Sequence, residues 1–288
     1  MNITIDCVEC IIGQIKKVTL TLNCENNLSN EINKEVLKRS KTFSFDHTPP
    51  WVVRDVYEFL ALKINKSDPL EKVKQDSIIA ANTFVPFIKQ LLRESSDKLF
   101  TAFKASVAGN VIDFGAKEQF DLKDEILNVF NTSFTINDYE TLKQQLNNID
   151  KLMILADNSG ENVFDKILLE TLKELYPKIK LYYATRGKPI INDITTKEAY
   201  QIGIDEVATI IDSGVDTPGY EQSRASKNFN KIYSEMPLII SKGMGNFECL
   251  ESNNDSRIYF LFKVKCNVVA NVIDKNIGDI ILKNGSKH

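Results

Sequence analysis

The sequence predicts an α/β protein: a doubly wound, mostly parallel sheet with an N-terminal all-helical subdomain. Three observations carry this. Beyond residue 150, short apolar runs alternate with amphipathic helical stretches, the pattern of a parallel sheet with right-handed crossovers. The first hundred residues show helical spacing and almost no period-two alternation. Between them, Lys151-Leu-Met-Ile-Leu-Ala156 reads as a buried strand that runs into a sharp turn and then a helix.

In chain order, Val8, Ile11, Ile12, Ile15, Val18 and Leu22 form the first helical stripe. Thr48-Pro49-Pro50 marks a helix start, and Val53, Val56, Tyr57 and Leu60 lie on the following face. A longer pattern covers residues 70–92, with Pro86 kinking or dividing it. Residues 1–105 are therefore expected to form a helical cap or subdomain, and 106–288 an α/β domain. The first break is Ser106-Val-Ala-Gly-Asn110-Val-Ile-Asp113-Phe-Gly115. It reads either as a helix-to-helix turn or as a loop that brings Asn110 and Asp113 to a site.

After residue 150 the expected strands are 151–156, 179–185, 207–211, 237–241 and 267–273, with a last one at 278–282. Between the first two, Val163, Phe164, Ile167, Leu168, Leu172 and Leu175 recur at helical spacing.

Composition narrows the function. The 288 residues suit one large domain or two modest ones, and 43% hydrophobic residues can bury a substantial core. With 36 basic and 39 acidic residues the net charge is -3, which gives no basic excess for general nucleic-acid binding. The apolar runs fall far below the ~20 residues of a membrane span. The start shows no signal-peptide pattern. Five cysteines without an export signal point to reduced thiols in the cytoplasm. Oligomeric state is left open.

The segments just past the strands collect the chemistry. They are Asp157-Asn158; Arg186 to Asn192-Asp193; Asp212 to Gly219; and Lys242-Gly243-Met244-Gly245-Asn246-Phe247-Glu248, with Lys263-Val-Lys265-Cys266 further on. Strand carboxyl ends are where open sheets bind ligands. Asp and Asn oxygens are hard ligands for magnesium or manganese. Lysines and glycine-loop N–H groups bind phosphate. A cation with a lysine offsets the charge of a transferring phosphoryl group. With only two histidines, His47 and His288, histidine-based zinc hydrolysis and a Ser–His–Asp triad are disfavoured. Taken singly, each segment also reads as plain structure. Asp157-Asn-Ser-Gly160 can be a turn with a helix cap, and Asn192-Asp193 can cap the next helix.

Together, Asp157-Asn-Ser-Gly-Glu161 with Phe164-Asp-Lys166, Arg186-Gly-Lys-Pro-Ile-Ile-Asn-Asp-Ile-Thr195 and Ser241-Lys-Gly-Met-Gly-Asn-Phe-Glu248 resemble the DUF89 family, also called the damage-control phosphatase or ARMT1-like family. Cys7-Val-Glu-Cys10, Gly109-Asn-Val-Ile-Asp113 and Lys263-Val-Lys-Cys266 fit its small archaeal and bacterial branch. The resemblance spans nearly the whole chain. It implies a metal-dependent phosphatase acting on small phosphorylated metabolites, such as sugar phosphates or damaged cofactor precursors. Carried over by motif, Asp157, Asn158 and Asp193 hold a divalent metal, one of Mn2+, Mg2+, Ni2+ or Co2+. Lys265, or its neighbour Lys263, binds phosphate. Gly243, Met244, Gly245, Asn246 and Glu248 line the substrate phosphate, with Asn246 central, and Glu161, Lys242, Asn110 and Asp113 are further substrate-binding candidates. The eukaryotic Arg-Thr-x-Lys motif is replaced by Phe260-Leu-Phe-Lys263. Cys7 and Cys10 share a helix face, either as a partial metal site or as small apolar groups. Two rivals share the fold. One is a non-catalytic binder of phosphorylated ligands. The other is an S-adenosylmethionine-dependent carboxyl methyltransferase, whose usual Gly-x-Gly first loop is absent.

Overall fold

A computed structural model of the chain describes residues 1–109 and 119–286. Its helices are α1 (Ile5–Thr21), α2 (Asn26–Ser40), α3 (Pro49–Lys63), α4 (Glu71–Glu94), α5 (Lys98–Ala108), α6 (Gln119–Asn131), α7 (Tyr139–Leu146), α8 (Glu161–Leu175), α9 (Thr196–Gln201), α10 (Lys227–Ser234), α11 (Gly243–Leu250) and α12 (Asn267–Ile273). The strands are β1 (Phe134–Asn137), β2 (Lys151–Leu155), β3 (Lys180–Thr185), β4 (Thr209–Asp212), β5 (Ile239–Lys242), β6 (Ile258–Lys263) and β7 (Ile280–Asn284). They form one sheet in the order β1-β7-β6-β5-β2-β3-β4. Every pairing is parallel except β6 with β7. The expected doubly wound, mostly parallel α/β fold is what forms.

Burial on both faces explains the apolar strands. In β2, Leu152 and Ile154 join the core under α4, α5 and α8, whereas Met153 and Leu155 join the core under α10, α11 and α12. The chain runs from β2 outward to β3 and β4, then returns to the other side of β2 as β5 and β6. The carboxyl ends of β2 and β5 thus flank a topological switch point, where strand order reverses and a crevice opens.

The expected helical subdomain of residues 1–105 divides between two cores. Helices α1 to α3 enclose their own, with Ile11, Ile15, Val36, Val53 and Leu60. Helices α4 and α5 belong to the sheet, through Ile78, Phe84, Ile88, Leu99 and Phe103. Pro86 lies inside α4, which continues through it.

One expected strand is wrong. Residues 267–273 form helix α12, capped by Cys266, whose thiol accepts from the Val269 amide. Only Val269 and Ala270 of that run are buried. The strand is Ile258–Lys263, whose first five residues are all buried, as a central strand covered on both faces must be. Strand β1, four residues at the sheet edge, was not anticipated. Among the described residues no helix is long and apolar enough to cross a membrane.

Candidate active site

The site is built where β2 and β5 end side by side. Asp157 follows β2 after Ala156, and the chain turns at Gly160, whose φ of 95° suits glycine, into α8. The loop after β3 folds back onto this turn. Asn158 and Asp193 form an isolated antiparallel bridge. Ser159 N–H donates to Asn192 O at 2.8 Å, and Ile194 N–H donates to Asp157 O at 3.0 Å. This local pairing places Asp193 against the Asp157 turn, although the two are far apart in sequence. Asp193 does not cap α9. Thr195 does, in a capping box with Glu198, so the Asp193 carboxylate is left for the site. Ile191 has φ 46°, a left-handed conformation that costs a β-branched residue about 1–3 kcal/mol and marks a loop held by its surroundings.

Arg186, at the end of β3 and 3% exposed, ties these parts together. Its Nε donates to Asp193 Oδ2 at 2.7 Å and its Nη1 to Asn246 Oδ1 at 3.1 Å. Its Nη2 lies 3.9 Å from Asp157 Oδ1, too far for a hydrogen bond, and has no acceptor among the described residues. Asn158 Nδ2 donates to Asp157 Oδ2 at 3.0 Å and to Glu161 Oε1 at 3.3 Å. From the other side comes Gly243, the first residue of α11, with φ 76°. A Cβ there would stand 1.9 Å from Asp157 Oδ2. Only glycine lets this helix start so close to the carboxylate.

Asp157, Asn158, Asn192, Asp193, Met244, Gly245, Glu248 and Lys265 line one cavity of about 710 Å³. Its far wall comes from α1, with Cys7, Cys10, Gln14 and Lys17, and from α3, with Pro49, Val53 and Tyr57. Burial, followed by repulsion from Asp193, pushes the Asp157 carboxyl up, against Arg186 and Lys265. Burial also pushes Asp193 up, against Arg186. Buried carboxylates that repel one another are a place where a cation relieves an electrostatic cost. Among the described residues no three Cys, His, Asp or Glu side chains are arranged to hold an ion by themselves. Two carboxylates and one amide oxygen make a smaller donor set. It fits a hard divalent cation that completes its shell with water and substrate oxygens.

The other sequence-derived candidates separate. Lys242 is fully buried. Its Nζ donates to Asp165 Oδ1 at 2.7 Å, Ser106 O at 3.1 Å and Glu161 Oε2 at 3.3 Å. Neither Lys242 nor Glu161 lines the cavity. Asn246 is also spent on the scaffold. Its Nδ2 donates to Ala156 O at 3.0 Å and Lys242 O at 2.7 Å, and its Oδ1 accepts from Arg186 and the Tyr220 amide. These three brace the site from behind. Lys265 lies at the cavity and lowers the Asp157 carboxyl, whereas Lys263, at the end of β6, does not line it. Asn110 and Asp113 lie outside the described residues. In the Asp212–Gly219 loop, Pro218 lines the cavity while Asp216 serves the cap, holding Arg54 of α3 at 3.0 Å and Arg224 at 2.5 Å. Sequence reasoning named Arg186 only as the start of a motif, and Lys74 and Glu198 not at all. Lys74 and Glu198 sit in the polar stretches 71–76 and 195–201, where no local signal marks them as buried. Lys74 of α4 is fully buried and pairs with Glu198 at 2.8 Å, anchoring α4 to the helix that follows the Asp193 loop.

Residues 3–281 match the model of the damage-control phosphatase ARMT1-like domain. The chain belongs to this family. It is 31% identical over 286 residues to an uncharacterised protein of Methanocaldococcus jannaschii, covering 96% of this chain and 93% of the relative. It is 28% identical over 293 residues to a protein of Archaeoglobus fulgidus named damage-control phosphatase, covering 98% and 99%. The crystal structure of a DUF89 family protein from Pyrococcus horikoshii superimposes with a TM-score of 0.91 at 26% identity, covering 99% of this chain and all of that one. The family's fold is therefore the fold of this chain, helical segment included.

Proposed function

We propose that the protein is a metal-dependent phosphatase of small phosphorylated metabolites, sugar phosphates or damaged phospho-metabolites. One observation carries the reading. Asp157, Asn158 and Asp193 meet at the switch point of the sheet, in a cavity that also holds Lys265. The family membership and the printed name of the Archaeoglobus relative support it.

Asp157, Asn158 and Asp193 would hold the divalent cation, Mn2+, Mg2+, Ni2+ or Co2+. When bound, it supplies positive charge against the phosphoryl oxygens. The remaining work falls to the chain. The N-terminus of α11 opens at this edge, with Met244 and Gly245 at the cavity, and offers N–H groups to an anion. Lys265 adds a positive charge at the same cavity. Arg186 fixes Asp193 and, through Asn246, the start of α11, so the groups need little rearrangement during reaction. The attacking oxygen belongs to water or to the Asp157 carboxylate, and trapping with hydroxylamine separates the two. The wall from α1 and α3 shapes the cavity around the rest of the substrate. A cytoplasmic setting agrees with five free cysteines.

The test is phosphate release from p-nitrophenyl phosphate and a sugar-phosphate panel with each metal in turn. Activity that depends on metal and is lost in Asp157→Ala is expected. Activity that survives both chelation and that substitution contradicts the reading. Metal-dependent binding of sugar phosphate without phosphate release would make the protein a binder instead.

A further inference from the structure

Helix α11 turns two faces to different tasks. Gly243, Asn246, Phe247 and Leu250 face inward. Met244, Gly245 and Glu248 face the cavity. Glu248 stands out because a carboxylate is a poor neighbour for a phosphate dianion. It cannot donate a hydrogen bond when ionised, and it repels the ligand. Expecting it to line the phosphate, as the motif suggests, conflicts with that chemistry. Five residues on from Gly243, it sits roughly 7 Å further along the helix axis. A phosphate seated at the helix start therefore leaves Glu248 beside the ester oxygen and the carbon skeleton. Among the described residues the Glu248 carboxyl makes no hydrogen bond or ion pair, while its backbone carbonyl accepts from the Met1 amino group. Among the described residues nothing satisfies this carboxyl, which lines the cavity.

We infer that Glu248 is the proton donor to the leaving alcohol, a role that rests on the phosphatase reading above. The groups that face it are the Met1 amino group, Asp157 at the end of β2, Cys10 of α1 and Cys266 before α12, with Cys249 beside it on α11. Burial raises the Glu248 carboxyl, the Met1 amino group opposes this and Asp157 adds to it, leaving it at about 8. A carboxylic acid kept protonated near neutral pH is what general acid catalysis requires.

The step balances. The ester P–O bond breaks and its electron pair stays on the ester oxygen. The Glu248 proton joins that oxygen, so the alcohol leaves neutral. The attacking oxygen completes its bond to phosphorus, and solvent returns a proton to the glutamate.

The test uses leaving groups of different basicity. A sugar alkoxide is strongly basic and needs the proton, whereas p-nitrophenolate is a good leaving group without it. The enzyme with metal, Glu248→Gln and Glu248→Asp are compared on p-nitrophenyl phosphate and on the sugar phosphate that the wild type turns over fastest. Glu248→Gln is expected to lower kcat on the sugar phosphate by ~10²-fold or more, and by far less on p-nitrophenyl phosphate. Glu248→Asp, which keeps an acid, is expected to recover part of the sugar-phosphate rate. Equal losses on the two substrates, or no loss on either, overturn the assignment while leaving the phosphatase reading intact. A wild type inactive on both overturns the phosphatase reading and this inference with it.

Discussion

Two lysines of the same motif region separate cleanly at the residue scale. Lys242 is fully buried with Asp165 and Glu161, and Asp165 is further held by Ser106 and Tyr183. Removing one partner of a buried pair strands the other charge, at about 3–5 kcal/mol. Lys242→Met is therefore expected to lower the melting temperature substantially. Lys265 is exposed at the cavity. Lys265→Met is expected to leave the melting temperature nearly unchanged and raise KM for a sugar phosphate by about tenfold or more, roughly the 1.5–3 kcal/mol of a hydrogen bond to a charged group. Melting curves and steady-state kinetics on both variants check the pair, and a reversed pattern would exchange their roles. Gly243→Ala makes the sharpest steric test. Its Cβ would collide with Asp157 at 1.9 Å, so kcat/KM is expected to fall by about 10²-fold or more, as a 1 Å misplacement can cost. Sequence showed both lysines and the glycine but not which way they point. One lysine is committed to the interior because β5 is buried throughout, and that depends on its neighbours in the sheet.

At the scale of elements, the strands that run between long amphipathic helices were legible: β2, β3, β4 and β5 lie within two residues of expectation. The exception is instructive. Ile258–Lys263 and 267–273 are both short apolar runs, and periodicity cannot separate a buried strand from a half-buried helix at that length. Cys266 as a helix cap decides the second, a weak signal beside Ser or Asp. The clamp between cap and sheet was likewise hidden. Asp216 joins Arg54 of α3 to Arg224, with the Arg54 contact made at 3.0 Å. Burial alone would raise the Asp216 carboxyl, but Arg224 and Arg54 hydrogen bonds outweigh it and hold the group at about 2. A carboxylate depressed in the folded state stabilises above its unfolded value near 3.8 and loses that contribution as pH falls through the folded value. The melting temperature is thus expected to fall between about pH 4 and 2. Asp216→Asn should start lower at neutral pH and show a shallower fall over that window. An identical acid profile in the variant would remove the clamp from the account.

For the whole molecule, the decisive feature is the order of the strands. Alternation in the sequence announced a parallel sheet, but nothing in it said that β5 would return beside β2. That return sets Gly243 against Asp157 and makes the switch-point crevice. The loop after β3 completes it by pairing with the turn after β2. A parallel sheet puts its strand ends on one edge, so the segments past the strands could be expected there. Which of them meet depended on that order. The proposed function requires Asp157, Asn158 and Asp193 to act as one cation site. The direct measurement is Mn2+ titration followed by electron paramagnetic resonance, on the wild type and on Asp193→Ala. One manganese bound per wild-type chain, with affinity at least tenfold weaker in the variant, is predicted. Equal binding by both proteins would contradict the site.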